Sequence, residues 1–235
     1  MKWLKIKKHL YLLLLGVISH ELKNPLTTVY GYASIIIRQL KKGKAIDPKT
    51  GDMLITEIQR MSQLIDELLN TKNSNLEKGK LKYSKKAYSF SKLIKNTVTT
   101  WKVANTKHTI LFTCKKAIYD LVYIDTQKLR QVVINILNNA AKFSPENSEI
   151  TINLDNRDKQ IICRISDQGK GIEKKDIKNI FKRFYKGQSG EKKEGMGLGL
   201  YLCKQIVEDH HGTISVSSVS GKGTMFSIVI PCYVN

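Results

Sequence analysis

Cysteine is sparse in this chain, and the four present (Cys114, Cys163, Cys203 and Cys232) lie far apart, with no CxxC spacing and no His/Cys cluster. That pattern excludes a zinc site and predicts reduced, mostly buried thiols of a cytosolic protein. Long apolar runs are also lacking. Leu10 to Ile18 follows a basic start, but it is shorter than the roughly 20 residues a bilayer-spanning helix needs, and no small-residue cleavage site follows it. The expected location is therefore cytoplasmic, with residues 1–18 as the place for peripheral membrane or sensor-protein contact. Acidic residues are outnumbered, 20 against 40 Lys and Arg, for a formal net charge of +20 over 235 residues. Such an excess suits nucleic acid, anionic lipid or an acidic protein surface. No recognition helix with interleaved base-reading side chains accompanies it, so no direct nucleic-acid binding is expected. Internal repeats and low-complexity tracts are absent too, and 41% hydrophobic content is that of a globular protein.

From Tyr11 to Leu40, apolar residues recur at Leu15, Ile18, Leu22, Leu26, Val29, Ala33 and Ile36, in steps of three and four. This is a heptad seam. After Gly43 and Pro48 a second seam runs through Leu54, Ile58, Met61, Ile65 and Leu68. Two helices joined by a short loop form a hairpin, and a dimer making a four-helix bundle would bury the second apolar face. Polar, aperiodic sequence follows. The chain then alternates helical and strand patterns: a helix over SFSKLIKNTVTTWK, strands TILFTCKK and LVYID, and a long helix opening after Asp125. Strands ITINLDN and QIICRISD come next, then a helix over GLYLCKQIVEDHH and a hairpin turning at SGKG. That mixture predicts an α+β sandwich with helices on one face of a sheet. The expected division is a helical hairpin over 1–76, a linker over 77–83 and a second domain over 84–235.

Polar residues interrupt the first seam at ISHELKNPLT. Helical spacing puts His20 and Asn24 on one face, with Glu21 turned about 100° away. A neutral imidazole is a good nucleophile toward phosphorus if its other nitrogen can release a proton, and Glu21 is the adjacent base. Pro25 removes an N–H and crowds the carbonyl of Glu21, which predicts a bend beside His20.

Farther on, QVVINILNNAAKFS is amphipathic, with Asn135 and Asn139 four residues apart, Lys142 close by and Asn138 pointing elsewhere. An amide oxygen suits Mg²⁺, and a lysine neutralises phosphate. In SDQGKGI, Asp167 ends a strand where it can accept a hydrogen bond from an exocyclic amine, and Gly169 and Gly171 let a base lie against the backbone. In EGMGLGL, Gly195, Gly197 and Gly199 allow backbone N–H groups to converge on phosphate at a helix N-terminus. Leu200 takes the place a dinucleotide fingerprint gives to glycine, and no G-K-S/T makes it a P-loop. FKRFYKG packs two phenylalanines into the core as a helix. Each pattern alone also occurs as ordinary structure: a surface histidine, an interhelical asparagine pair, a glycine turn.

In this order and spacing, the motifs resemble those of two-component sensor histidine kinases over nearly the whole chain. ISHELKNPLT matches the family's histidine box, which implies His20 as phosphoacceptor, Glu21 as its base and Asn24 as the residue orienting water when a regulator is dephosphorylated. The asparagine helix resembles the N box, implying Asn139 at the metal-coordinating place with Asn135 supporting it. SDQGKGI resembles the G1 box, implying Asp167 for adenine. EGMGLGL, including Leu198 and Leu200, matches the G2 box, and the polar stretch before it would be a lid over ATP. The F box resemblance makes Lys186 a phosphate contact where many relatives carry arginine. A point charge replaces a bidentate fork there. The implied fold is a helical hairpin followed by an ATP-binding sandwich of the histidine kinase, Hsp90 and gyrase type. The implied activity is ATP- and Mg²⁺-dependent phosphorylation of His20 with transfer to an aspartate of a response regulator receiver domain, by a homodimer that also acts as a phosphatase. A non-catalytic adaptor would have lost His20, Asn139 or Asp167, and a plain ATPase has no use for the histidine box. Eukaryotic-type protein kinases are excluded, because no HRD or DFG occurs.

Overall fold

A computed structural model of the chain describes residues 2–58, 61, 83–114, 119–187 and 197–233, with side chains from residue 22 onward. The chain forms two compact units, one within residues 1–80 and one built from 81–191 and 197–235. The segment expected to link two domains falls mostly outside the described residues.

The first unit contains helix α1 (Lys2–Lys41), which runs through Pro25 as one element. Pro25 is itself buried. Just beyond it the hydroxyls of Thr27 and Thr28 donate to the carbonyls of Lys23 and Asn24, 2.9 and 3.2 Å away and one turn back. A turn at 42–43 closes the helix, Gly43 adopting φ 63°, and residues 48–58 form helix α2. Burial refines the expected seam. Leu22, Val29 and Ile36 are half-buried, as are Leu54 and Met61 of the second helical segment. Leu26, however, is 55% exposed and belongs to a neighbouring stripe with Tyr30, Ile37 and Leu40. The two sets lie roughly 65° apart around the helix, within one wide apolar stripe.

The second unit is a two-layer sandwich. A five-stranded sheet has the order β2 (Thr109–Cys114), β4 (Glu149–Arg157), β5 (Gln160–Ser166), β7 (Thr224–Pro231), β6 (Thr213–Ser218). The first pair is parallel and the rest antiparallel. Period-two alternation sends Ile150, Ile152, Leu154, Ile161, Cys163, Ile165, Phe226, Ile228 and Ile230 into the core. The cover is α3 (Phe90–Ala104), α4 (Thr126–Phe143) and α6 (Gly199–Asp209), whose buried stripes join the same cluster. On the sheet's other face, cross-strand neighbours Thr113, Asn153, Arg164, Ser227 and Ser215 make a polar row.

Two elements lie outside the expected list. Strand β1 (Lys86–Ser89) pairs antiparallel with β3 (Leu121–Ile124) as a separate ribbon, and α5 spans only Lys174–Ile177. FKRFYKG is not a helix but a series of turns. Phe181 packs against the core, edge-on to Phe226, whereas Phe184 lies outside that cluster at φ 63°. The thiols also differ from expectation. None forms a disulfide, but Cys163 and Cys203 are buried while Cys114 is exposed.

The start of this unit is fastened to α4 and to the end of α6. Asp125 caps α4, its Oδ1 accepting from the N–H groups of Gln127 and Lys128 at 3.0 and 3.1 Å. Its Oδ2 accepts from the Ser84 N–H at 2.9 Å. Burial raises the Asp125 carboxyl pKa, but these N–H bonds outweigh that and leave it below the usual value. Buried His210, just after α6, accepts the Asp125 N–H on Nε2 at 2.9 Å and turns Nδ1 to the Ile206 carbonyl at 2.6 Å. Tyr83 donates to Asp209 at 2.6 Å and sets its ring edge-on to His210.

Candidate functional site

Helix α4 carries the asparagines, and its amphipathic burial sets their direction. Leu129, Val132, Val133, Ile136, Leu137 and Ala140 face the core, leaving Asn135 and Asn139 half-buried along one edge. Asn138 points elsewhere as expected, accepting the Trp101 indole N–H at 2.7 Å. Asn135 donates to Cys203 Sγ on α6 at 3.2 Å. It also fills the space beside Gly199, where an added Cβ would sit 2.6 Å from its amide nitrogen. The Asn139 side chain makes no hydrogen bond to a described residue and stands half-buried at this edge.

The loop after β5 is drawn onto the end of α4. Asp167 Oδ1 accepts from the N–H of Gly169 at 2.8 Å and of Thr224 at 3.1 Å, while Oδ2 accepts no hydrogen bond from the described residues. Burial pushes the Asp167 carboxyl above the usual range, with the two N–H bonds opposing it. A Cβ on Gly169 would lie 2.5 Å from the Phe143 carbonyl oxygen. Gly171, at φ 70°, abuts the β6–β7 turn.

Beside this loop opens a cleft of about 470 Å³ lined by Lys142, Phe143, Ser144, Gln168, Gly169 and Lys170, among others. The Phe143 ring is 45% exposed and flanked by the ammonium groups of Lys142 and Lys170, 5.7 and 5.5 Å from its centroid. The buried Ser144 hydroxyl has no hydrogen-bond partner among the described residues. Phe143 and Lys170 went unnoticed in the sequence. An exposed aromatic directly after an asparagine and lysine helix edge was the signal that could have found Phe143.

The glycine loop ends at α6. Gly197 takes φ 69°, where a Cβ would press on the Tyr185 carbonyl at 2.7 Å, and its own carbonyl accepts the Phe184 N–H at 3.0 Å. Leu198 is fully buried and precedes α6 with no side-chain cap. First-turn N–H groups at Gly199 and Leu200 are therefore available to an anion. Lys186, half-buried, stands one residue past Tyr185, whose hydroxyl donates to buried Asp176 at 2.6 Å. Gly195 lies outside the described residues, as do the side chains of His20 and Glu21. Asn24 is exposed on α1.

Two family models match the chain. The histidine kinase-, DNA gyrase B- and HSP90-like ATPase covers residues 124–234, and the His Kinase A phospho-acceptor domain covers 12–75. The chain belongs to the two-component sensor histidine kinases. Among curated histidine kinase relatives, the sensor protein SrrB of Staphylococcus aureus is 30% identical over 219 residues, 91% of this chain and 37% of that protein. The sensor histidine kinase WalK of Bacillus subtilis is 31% identical over the same length, 91% of this chain and 35% of WalK. The chain thus spans little more than a third of these relatives. In structure it resembles the mycobacterial sensor histidine kinase MprB at a TM-score of 0.56 and 28% identity, over 62% of this chain and 97% of that one. The stretch matched by the histidine kinase-, DNA gyrase B- and HSP90-like ATPase model contains the Asn139, Asp167 and Gly199 neighbourhood just described. Among the described residues, no helix is long and apolar enough to cross a membrane.

Proposed function

We propose that the chain is the kinase core of a two-component system: it phosphorylates His20 from ATP and passes the phosphoryl group to an aspartate of a response regulator. The observation that carries this reading is the joint presence of a phospho-acceptor helix and a site with nucleotide-ready groups. The half-buried Asp167 Oδ2 and the Asn139 amide have no hydrogen bond from the described residues, and the start of α6 has no side-chain cap. Asp167 accepts the adenine amine, Phe143 offers its ring to the base, and Lys142, Lys186 and the Gly195 to Leu200 amides neutralise the phosphates.

No His, Cys, Asp or Glu cluster among the described residues could cage a metal. This fits Mg²⁺ held by the Asn139 amide with Asn135 beside it, since the ion keeps waters and leans on phosphates. Bound there, it would neutralise developing phosphate charge. A ring nitrogen of His20 attacks the γ-phosphorus, the bond to the bridging oxygen of the departing ADP breaks, and Glu21 takes the proton from the other ring nitrogen. Incubation with γ-labelled ATP and Mg²⁺ tests this. Acid-labile, alkali-stable label on the chain is the expected result, and acid-stable label or none refutes it.

The working unit is a dimer of residues 1–76, joined through 77–83 to the catalytic domain 84–235. Leu26, Tyr30, Ile37 and Leu40 leave a stripe 53–74% exposed on α1, and each such side chain gains about 1.5–3 kcal/mol on full burial. Ile37→Asp should give a monomer by light scattering, because an unpaired charge would enter the bundle. A dimeric variant would place the interface elsewhere.

Two further outcomes follow from the assigned roles. Amine recognition needs the ionised Asp167 carboxylate, so nucleotide affinity should hold at neutral pH and fall as pH drops through this group's raised pKa. That loss should begin at higher pH than for an ordinary carboxylate. Asp167→Asn should bind about 10-fold or more weakly and lose the pH dependence, as calorimetric titration across acidic pH would show. Asn24, one turn from His20, has no acid or base for the forward step. Asn24→Ala should keep autophosphorylation but slow dephosphorylation of a labelled regulator, through lost positioning of water. Unchanged decay would leave Asn24 a structural residue.

A further inference from the structure

Arg183 is a cation with no carboxylate partner among the described residues. Its guanidinium carbon stands 4.7 Å from the centroid of the Phe184 ring, and its Nε is buried with no hydrogen-bond partner among the described residues. No salt bridge to a described residue involves it. The titratable group that faces it is Tyr201, in the first turn of α6, and burial lowers its pKa from the ordinary arginine value. Stacking on an aromatic satisfies the flat face of a guanidinium but leaves its edge, where all five N–H donors lie, for an anion.

The backbone fixes where that edge is held. Phe184, the next residue, takes φ 63°, a conformation costly for a bulky side chain. Its N–H donates to the Gly197 carbonyl at 3.0 Å, and Gly197 could accept no Cβ without striking the Phe184 and Tyr185 backbone. Arg183 is thus tied, through its neighbour, to the loop that opens the uncapped α6. In the same turn Lys186 supplies only a point charge.

We propose that Arg183 is a phosphate-binding residue of this nucleotide site, its guanidinium edge engaging the terminal phosphates of ATP and supplying the bidentate fork that Lys186 cannot. The proposal rests on the ATP-site reading above.

Calorimetric titration of the full chain with ATP, ADP and adenosine, in Mg²⁺, tests it. For Arg183→Met, ATP affinity should fall about 10-fold or more, ADP affinity less, and adenosine affinity within about twofold of parent. Arg183→Lys keeps the charge without the fork and should fall between parent and Met for ATP alone; it serves by itself if the Met variant does not fold. Adenosine weakening in step with ATP would make Arg183 a support of the fold and overturn the proposal, as would unchanged ATP binding. Parent protein that binds none of the three would instead remove the nucleotide site itself.

Discussion

His20→Gln protein, incubated with γ-labelled ATP and Mg²⁺, should retain no label while binding ATP as tightly as the parent. Glutamine forms helix well, so α1 keeps its conformation. Its amide nitrogen, however, has a delocalised lone pair and cannot attack phosphorus, so the loss should reach at least about 1,000-fold. The described residues assigned to the nucleotide belong to the other compact unit. Binding and chemistry are therefore expected to separate cleanly. Label surviving at the parental level would place the acceptor elsewhere, and a parallel loss of ATP affinity would show that the substitution had damaged more than the nucleophile.

The second large effect is expected from Gly171→Val. At φ 70° a β-branched residue is strained, and its Cβ would fall 2.2 Å from the Val219 carbonyl oxygen, far inside any real contact. The backbone must shift, and the loop cannot shift alone. The Gly221 N–H donates to the Lys170 carbonyl at 2.7 Å, and the Asp167 N–H donates to the Thr224 carbonyl at 2.9 Å. Prising the loop from the β6–β7 turn therefore moves the carboxylate assigned to adenine. About 3 kcal/mol of stability should be lost, together with nearly all nucleotide affinity. Thermal unfolding and ATP titration measure the two separately. Parental affinity in a folded variant would mean that Asp167 does not need this loop to be held.

What the residue pattern disclosed, and what it hid, follows from how local each feature is. The α4 and α6 helices and the long strands were legible because their burial stripes recur every few residues. Strand β1 was not, since its four residues are fixed by pairing with Leu121–Ile124, more than thirty positions away. FKRFYKG reads as apolar at helical spacing, yet the Gly197 carbonyl captures the Phe184 N–H and the segment turns. On α1 a wide apolar stripe hid the fact that Leu26 and Val29 differ in burial. Asp167 and Asn139 could be picked out because short motifs name them. Phe143 and Arg183 have no such label; their exposure, stacking and missing partners exist only once the chain is folded.

Asp125 shows how a domain can share one fastening between two jobs. One oxygen closes the start of α4 and the other holds Ser84, while the N–H of the same residue rests on His210 beyond the end of α6. No one of these bonds is strong, each being worth about 1–3 kcal/mol. Meeting at a single residue, they make the beginning of the domain, the start of α4 and the end of α6 one cooperative joint, so force arriving along the chain at Ser84 is felt first not by the sheet but by the helix that carries Asn135 and Asn139.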